Sequence, residues 1–550
     1  MLGRRSQTSS QASSLDQEVP CERQDSGPSQ CSSRDSAPSP GHSMESGASV
    51  TDLHMEAMIP TLAERVAKMD VVNPEVLRVT PVFRALERFA VALRVDSAGD
   101  FFHKSHRSQQ ISTFWSHSWH GGHWKKILTI VTLYNGTAAV VLSLLTGACM
   151  MMLFSVGNLP GIDRGWWDDS FLWSCWSTFS GFVVACLAMM FWRPRTGVFL
   201  DRICISQNDA RLKTEAIFSL AGLLKNSDRM LILWDPTWTE RLWCLFELAA
   251  FLKSKTSRQQ HLIVRPIFMG PLTIAVYLTF AAFAMPIATV PVDTERTILQ
   301  MLSAIVLCML VVAVPTASTI RSYFRDLDTM KLQLSSISVD STRSSCCDLN
   351  HLSSSGERML CDRKIVKECV KTWFGSELAF EDTVRTEVSD ILNRDLTQKV
   401  FSTPWALGVS SPVILAFMDL SASWTQPPNI WALWDHPALC LLAEGLLTWF
   451  LVPANKDLLI LLLRLGRRRP RSPFLELLKN LSVLSAAAIP VLVLIAAYGF
   501  TRFTDQVFFE LTTSSAFFRL VSYACCTLLI ALCNYFLGLG LKALLRRPGW

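Results

Sequence analysis

This chain is poor in charge. Only 18% of its 550 residues are Asp, Glu, Lys or Arg, and the net charge is a mild +6. That balance speaks against a strongly basic nucleic-acid binder, and no nucleic-acid partner is expected. The opening MLGRRSQTSS lacks the apolar run of a cleavable signal peptide, so the first membrane helix would have to act as the anchor. Sixteen cysteines are scattered without the spacing of a secreted disulfide scaffold, which points to soluble parts in a reducing cytosol. Large apolar residues are almost missing from residues 1–50, a stretch of Ser, Gly, Pro and Gln. Such a segment cannot bury enough surface to offset its ordering entropy, and a disordered tail is expected.

What the chain has in excess is apolar surface. Half of its residues are hydrophobic and the mean hydropathy is +0.28, which excludes an ordinary soluble globular protein. Eighteen Trp and 31 Phe suit lipid-facing and interfacial positions. Apolar runs near 127–154, 171–192, 270–290, 297–320, 405–423, 432–452, 477–500 and 520–541 are close to the roughly 20 residues that cross a bilayer. Lys125, Lys126, Arg193 and Arg195 flank the first hairpin on one side. Lys456, Arg464, Arg467, Arg468, Arg469 and Arg471 lie between the sixth and seventh runs, and Lys542, Arg546 and Arg547 close the chain. The opposite loops offer only Arg164, Arg296 and Arg502, with Arg519 at an edge. This asymmetry predicts an integral, multi-pass protein of eight spans with both termini cytoplasmic.

Between the first runs lies a different pattern. Strand-length segments at Val198–Leu200, Met230–Trp234 and Leu262–Phe268 alternate with helical periods, the signature of a parallel α/β unit. Polar turns follow the strand ends, where such folds place ligands. Upstream, residues 51–100 predict short amphipathic helices broken at Pro60, Pro74 and Pro81, to pack on this unit or lie at the membrane surface.

The order FLDRICISQND, LLKNS, MLILWD and RLWCLFELA resembles the core of a TIR (Toll/interleukin-1 receptor) domain. FWSHSW, Phe114 to Trp119, is similar to that domain's first strand, and WCLFEL resembles a Trp-Cys-Leu-x-Glu-Leu of plant-type TIR domains. The resemblance covers two blocks separated by a hydrophobic hairpin, an arrangement similar to that of multi-pass proteins of unicellular algae. Ser118 stands where plant-type relatives place an arginine, and the family's last strand and helix are here either missing or supplied from elsewhere in the chain. The resemblance implies self-association of TIR domains, and it implies that Glu247 supports cleavage of the glycosidic bond of NAD. It further implies that the loop after Asp201 contacts nucleotide and neighbouring subunits.

Chemistry agrees with a role for Glu247, since a carboxylate can bind ribose hydroxyls and stabilise an oxocarbenium-like transition state. On its helix Leu242, Leu245, Phe246 and Ala249 form the buried face, while Trp243 and Glu247 are i, i+4 neighbours on another, exposed face. Ser116, His117, Asp201 and Trp243 are the expected NAD-binding partners, and a solvated glutamate on a partner-binding scaffold is the plainer alternative. Asp201 reads equally well as a turn residue capping its loop. Cys346, Cys347, His351 and Cys361 could hold zinc in a closed tetrahedral site, against free cytosolic thiols. His117, His120 and His123 repeat at threes, but no carboxylate or Cys completes a metal set, and interfacial loop residues are the simpler reading. Asp419 and Glu444 sit inside apolar runs, where acids nominate an ion path.

The expected fold is a multi-pass α-helical membrane protein, about eight spans, with a cytosolic TIR-like parallel-sheet domain. Its parts are a tail at 1–50, an amphipathic segment at 51–100, the split domain at 110–126 and 193–269, and hairpins at 127–192 and 270–320. A Cys/His-containing segment at 321–403 and a four-span bundle at 404–545 follow. The expected function is signalling or assembly at the lipid bilayer, with two readings left open for the TIR-like domain: NAD cleavage through Glu247, or a scaffold that only binds partners. The alternative is a transporter or channel with a regulatory TIR-like domain.

Overall fold

The computed structural model describes residues 50–94, 99–119, 121–163, 172–255, 261–289, 295–352, 358–425, 436–508 and 513–545. The tail expected at 1–50 lies, but for Val50, outside these residues. So do His120, Arg164, Arg546, Arg547 and the loop residues 290–294.

Six strands make one mixed sheet in the order β2-β1-β6-β3-β7-β8. They are β1 (Arg78–Pro81), β2 (His106–Arg107), β3 (Ile111–His117), β6 (Gly197–Phe199), β7 (Ser227–Trp234) and β8 (Leu262–Pro266). The remaining pair, β4 (Ile162–Asp163) and β5 (Leu172–Trp173), forms a separate two-stranded ribbon. Strands β6, β3, β7 and β8 run parallel, with Phe114 opposite both Phe199 and Met230. The expected parallel sheet is thus corrected at one edge, where β1 runs antiparallel to β6 and β2 antiparallel to β1. Both edge strands lie in or beside a segment read as helical. Each is too short for its alternation to register, and Pro81 ends β1.

Strands β3 and β7 are buried on both faces, as central parallel strands are. One face of the sheet is covered by α8 (Leu242–Ser254), which presents Leu242, Leu245, Phe246 and Ala249 as the sequence stripe foretold. The other face meets the base of α3 (His123–Ser155), where Trp115 donates to the Tyr134 hydroxyl at 3.2 Å. Helix α1 (Val50–Ala67) runs through Pro60 without breaking. It packs on α11 (Asp362–Phe374), with Trp373 Nε1 donating to the Ala67 carbonyl at 2.9 Å.

Helix α3 and α4 (Trp176–Phe191) form an antiparallel hairpin: Asn135 near the base of α3 donates to the Met189 carbonyl, and Ser177 to Gly147. Ala139, Ser143 and Gly147 repeat at fours on α3, and Ser177, Gly181 and Ala185 do so on α4. Small residues at that spacing let helix backbones approach closely. A Cβ at Gly147 or Gly181 would fall 2.3 or 2.7 Å from Leu415, which sits in α13 (Ser411–Ser423).

The expectation of eight spans is corrected. Among the described residues three helical stretches are long and apolar enough to cross a membrane: α3, Ala438–Leu465 of α14 (His436–Leu465) and Leu520–Gly540 of α16 (Thr513–Leu545). Helix α12 (Thr403–Val409) and α13, bent by 50°, make a fourth if they count as one span. Helix α4 has 16 residues, about 24 Å of rise against the roughly 30 Å of hydrocarbon. The described apolar part of α9 (Met269–Thr289) is similarly short. The 297–320 run continues unbroken to Ser335 in α10 (Glu295–Ser335).

Candidate functional site

The carboxyl edge of the parallel strands gathers His117 at the end of β3, Asp201 just after β6 and Asp235 just after β7. From the α8 side, Glu247 reaches this edge. The Ser116 hydroxyl donates to Glu247 Oε2 at 2.5 Å and accepts from the Trp238 indole N–H at 3.1 Å. The pair fixes the carboxyl group's orientation. Trp238 is fully buried, and sequence reasoning missed it because its role depends on a contact across 122 positions.

Glu247 is half-buried, not on an exposed face as expected. Burial of its carboxyl group raises its pKa to about 8; the Ser116 hydrogen bond opposes this, and the Asp201 charge adds to it. At neutral pH the group is therefore largely protonated and able to give a proton. Above pH 8 it is a carboxylate able to stabilise positive charge.

Alternation along β3 turns His117 to the opposite face from Ser116. His117 is buried beside Trp119, with Nε2 3.9 Å from Asp201 Oδ1. Desolvation lowers its pKa, Asp201 opposes that, and Lys126 reinforces it, so the ring is neutral at pH 7. Neither ring nitrogen has a hydrogen-bond partner among the described residues. Of the four expected partners, Ser116, His117 and Asp201 thus lie at one strand edge, with Ser116 bonding Glu247, and Trp243 does not join them. Asp201 heads the one-turn helix α5 (Asp201–Cys204), and Asp209 caps α6 (Ala210–Phe218), accepting from Leu212 N at 3.0 Å.

Lys126, read from the sequence as a membrane-edge charge, is instead buried, with Nζ donating to the Ser118 carbonyl. Ser118 itself meets the Thr237 hydroxyl at 2.7 Å. Gly121 allows this closeness, since a Cβ there would lie 2.3 Å from Asp235 Oδ2. Trp243 turns away from the site, its indole N–H bonding Asp362 Oδ2 at 3.1 Å.

That bond leads to the second constellation. Cys346, Cys347, His351 and Cys361 converge, their ligand atoms all within 4.8 Å of one another. Cys347 Sγ lies 3.8 Å from Cys346 Sγ, 3.9 Å from Cys361 Sγ and 3.6 Å from His351 Nε2. Zinc–sulfur bonds of about 2.3 Å at tetrahedral angles put two sulfurs about 3.8 Å apart, so the donor set fits zinc. Asn350 and His351 both hold positive φ, which turns the chain so that the imidazole faces back to the thiols. Burial and the neighbouring Cys346 and Cys361 thiols push the Cys347 thiol up to about 12, so a cation would have to displace protons to bind. Among the described residues this is the group so brought together, and the histidine series from His117 takes no part in it.

Asp419 receives Ser174 Oγ at 2.7 Å, Ser177 N at 2.8 Å and Thr178 N at 2.8 Å. It caps the start of α4 from another helix, and both carboxylate oxygens are occupied by that task. No protein-family model, curated protein or solved structure matches this chain.

Proposed function

We propose that this chain is a membrane-embedded signalling or assembly protein that works through its TIR-like α/β unit and cleaves NAD at Glu247. The observation that carries the reading is the Ser116–Glu247 pair, oriented by Trp238, at the carboxyl edge of the parallel strands. That edge is where open α/β sheets take their ligands. NAD is the substrate: the bond from ribose C1′ to nicotinamide breaks with its electron pair leaving on nicotinamide, and water bonds C1′ through its oxygen and releases a proton to solvent, giving ADP-ribose. The ionised Glu247 stabilises the oxocarbenium-like transition state. Ser116 orients the carboxylate, Asp201 contacts the nucleotide from the neighbouring strand end, and buried His117 supports Asp201 from the other face of the sheet.

The same reading places the soluble parts and both termini on the cytosolic side of a bilayer, with self-association through the α/β unit. Zinc at Cys346, Cys347, His351 and Cys361 closes the loop that follows α10. The experiment is nicotinamide release from NAD by the purified chain in lipid, soluble and clustered. Release supports the reading; a well-folded, clustered protein that releases none rejects the enzyme and leaves the scaffold.

A further inference from the structure

The helix that carries Glu247 has no side-chain cap of its own at Arg241. Its first turn is held from outside, by the segment that contains the thiol cluster. Leu242 N donates to the Arg343 carbonyl at 3.0 Å, and Arg343 N donates to the Glu240 carbonyl at 2.7 Å. One residue further on, Trp243 bonds Asp362, whose own N–H donates to Cys346 Sγ at 3.4 Å. Arg343 lies three residues before Cys346 and Asp362 one residue after Cys361, so both grips on α8 flank the ligand set. Glu247 is one turn beyond Trp243 on the same helix, and its place is defined to hydrogen-bond precision by Ser116.

Between the grips, bonds among the described residues bring the thiols together: Met359 N donates to the His351 carbonyl at 2.8 Å, and Arg363 donates to the Thr342 carbonyl at 2.6 Å. Ser345–Asp348 form a short helix, Asn350 and His351 hold positive φ and an isolated bridge joins Leu352 to Arg358, while Leu349 and Leu352 face solvent. Cys346 is buried, but Cys347, His351 and Cys361 are only half-buried. A metal joining 346, 347 and 351 to 361 would lock the distance between the two grips, which the Arg363–Thr342 bond alone spans through one flexible side chain.

We propose that zinc bound by Cys346, Cys347, His351 and Cys361 is the clamp that seats α8, so that metal loading sets the position of Glu247. This rests on the zinc reading above, and the test separates the two. The full chain in lipid nanodiscs is measured for zinc by elemental analysis, and for hydrogen–deuterium exchange with zinc and after chelation. About one zinc per chain is expected. On chelation, amides over Leu242–Glu247 should exchange about tenfold faster or more, with β7 as an unchanged internal reference. Asp362→Ala should keep its zinc, yet show faster α8 exchange with zinc bound and a smaller further rise on chelation, since only the Arg343 grip remains.

Bound zinc with α8 exchange indifferent to chelation overturns the clamp and leaves a zinc site. Absence of zinc after reconstitution with zinc chloride overturns both. A rise that spreads equally to β7 also overturns the clamp, because the metal would then hold the whole fold. None of these readouts depends on NAD cleavage.

Discussion

At the scale of single residues, the site is a carboxyl group whose charge is set by its surroundings. Its raised pKa gives a signed pH dependence: if the ionised Glu247 supports the transition state, NAD cleavage should climb as pH passes about 8. Ser116→Ala removes the hydrogen bond that holds the pKa down, so the climb should move to higher pH, which a pH–rate profile reads directly. The folded chain keeps this proton where the unfolded chain has lost it. Stability should therefore fall as pH rises from about 4.5 to about 8, and Glu247→Gln should flatten that slope in thermal unfolding. Glu247→Ala is a poorer probe, because it leaves the Ser116 hydroxyl without its acceptor at a cost of about 1–2 kcal/mol.

Elements show what the sequence could and could not reveal. The cores of β7 and β8 and the buried stripe of α8 were legible because each is a run of apolar residues with one clear period. Strands β1 and β2 were not, since four and two residues carry no period at all. The cap that Asp419 provides to α4 was equally hidden: it joins residues about 240 positions apart, and in sequence it looks like an acid awaiting an ion. Asp419→Ala should cost about 2 kcal/mol or more in detergent unfolding, because three donors lose their acceptor together. The small-residue stripes of the hairpin also escaped a search for apolar length. Gly181→Leu forces Leu415 aside and should destabilise the hairpin by about 1–3 kcal/mol, read as a lowered midpoint of unfolding. Leu415→Ala in the same background should recover part of that loss.

On the scale of the whole molecule, the α/β unit is not tethered by a flexible linker. Thr129 of α3 donates to the Ile267 carbonyl and accepts from Gly270 N, which ties the first long apolar helix to the junction of β8 and α9. Arg321 of α10 is fully buried and donates to Gly466 O, Glu476, Asn480 and Arg468 O. The basic loop after α14 is thereby docked on α10, which its charges alone, read as topology signals, did not suggest. Arg321→Ala should cost about 3–5 kcal/mol, since Glu476 would lose its buried partner, and the loss should appear in denaturation of the full chain.

The most direct measurement of the proposed activity is nicotinamide release by wild type and Glu247→Gln side by side in lipid bilayers. Both are assayed at pH 8.5, about half a unit above the carboxyl group's pKa, with the protein clustered. Wild type should release nicotinamide and the variant should lose about a hundredfold or more, the equivalent of about 3 kcal/mol of barrier. Equal release by both, or none from a folded and clustered wild type, would contradict the proposed activity.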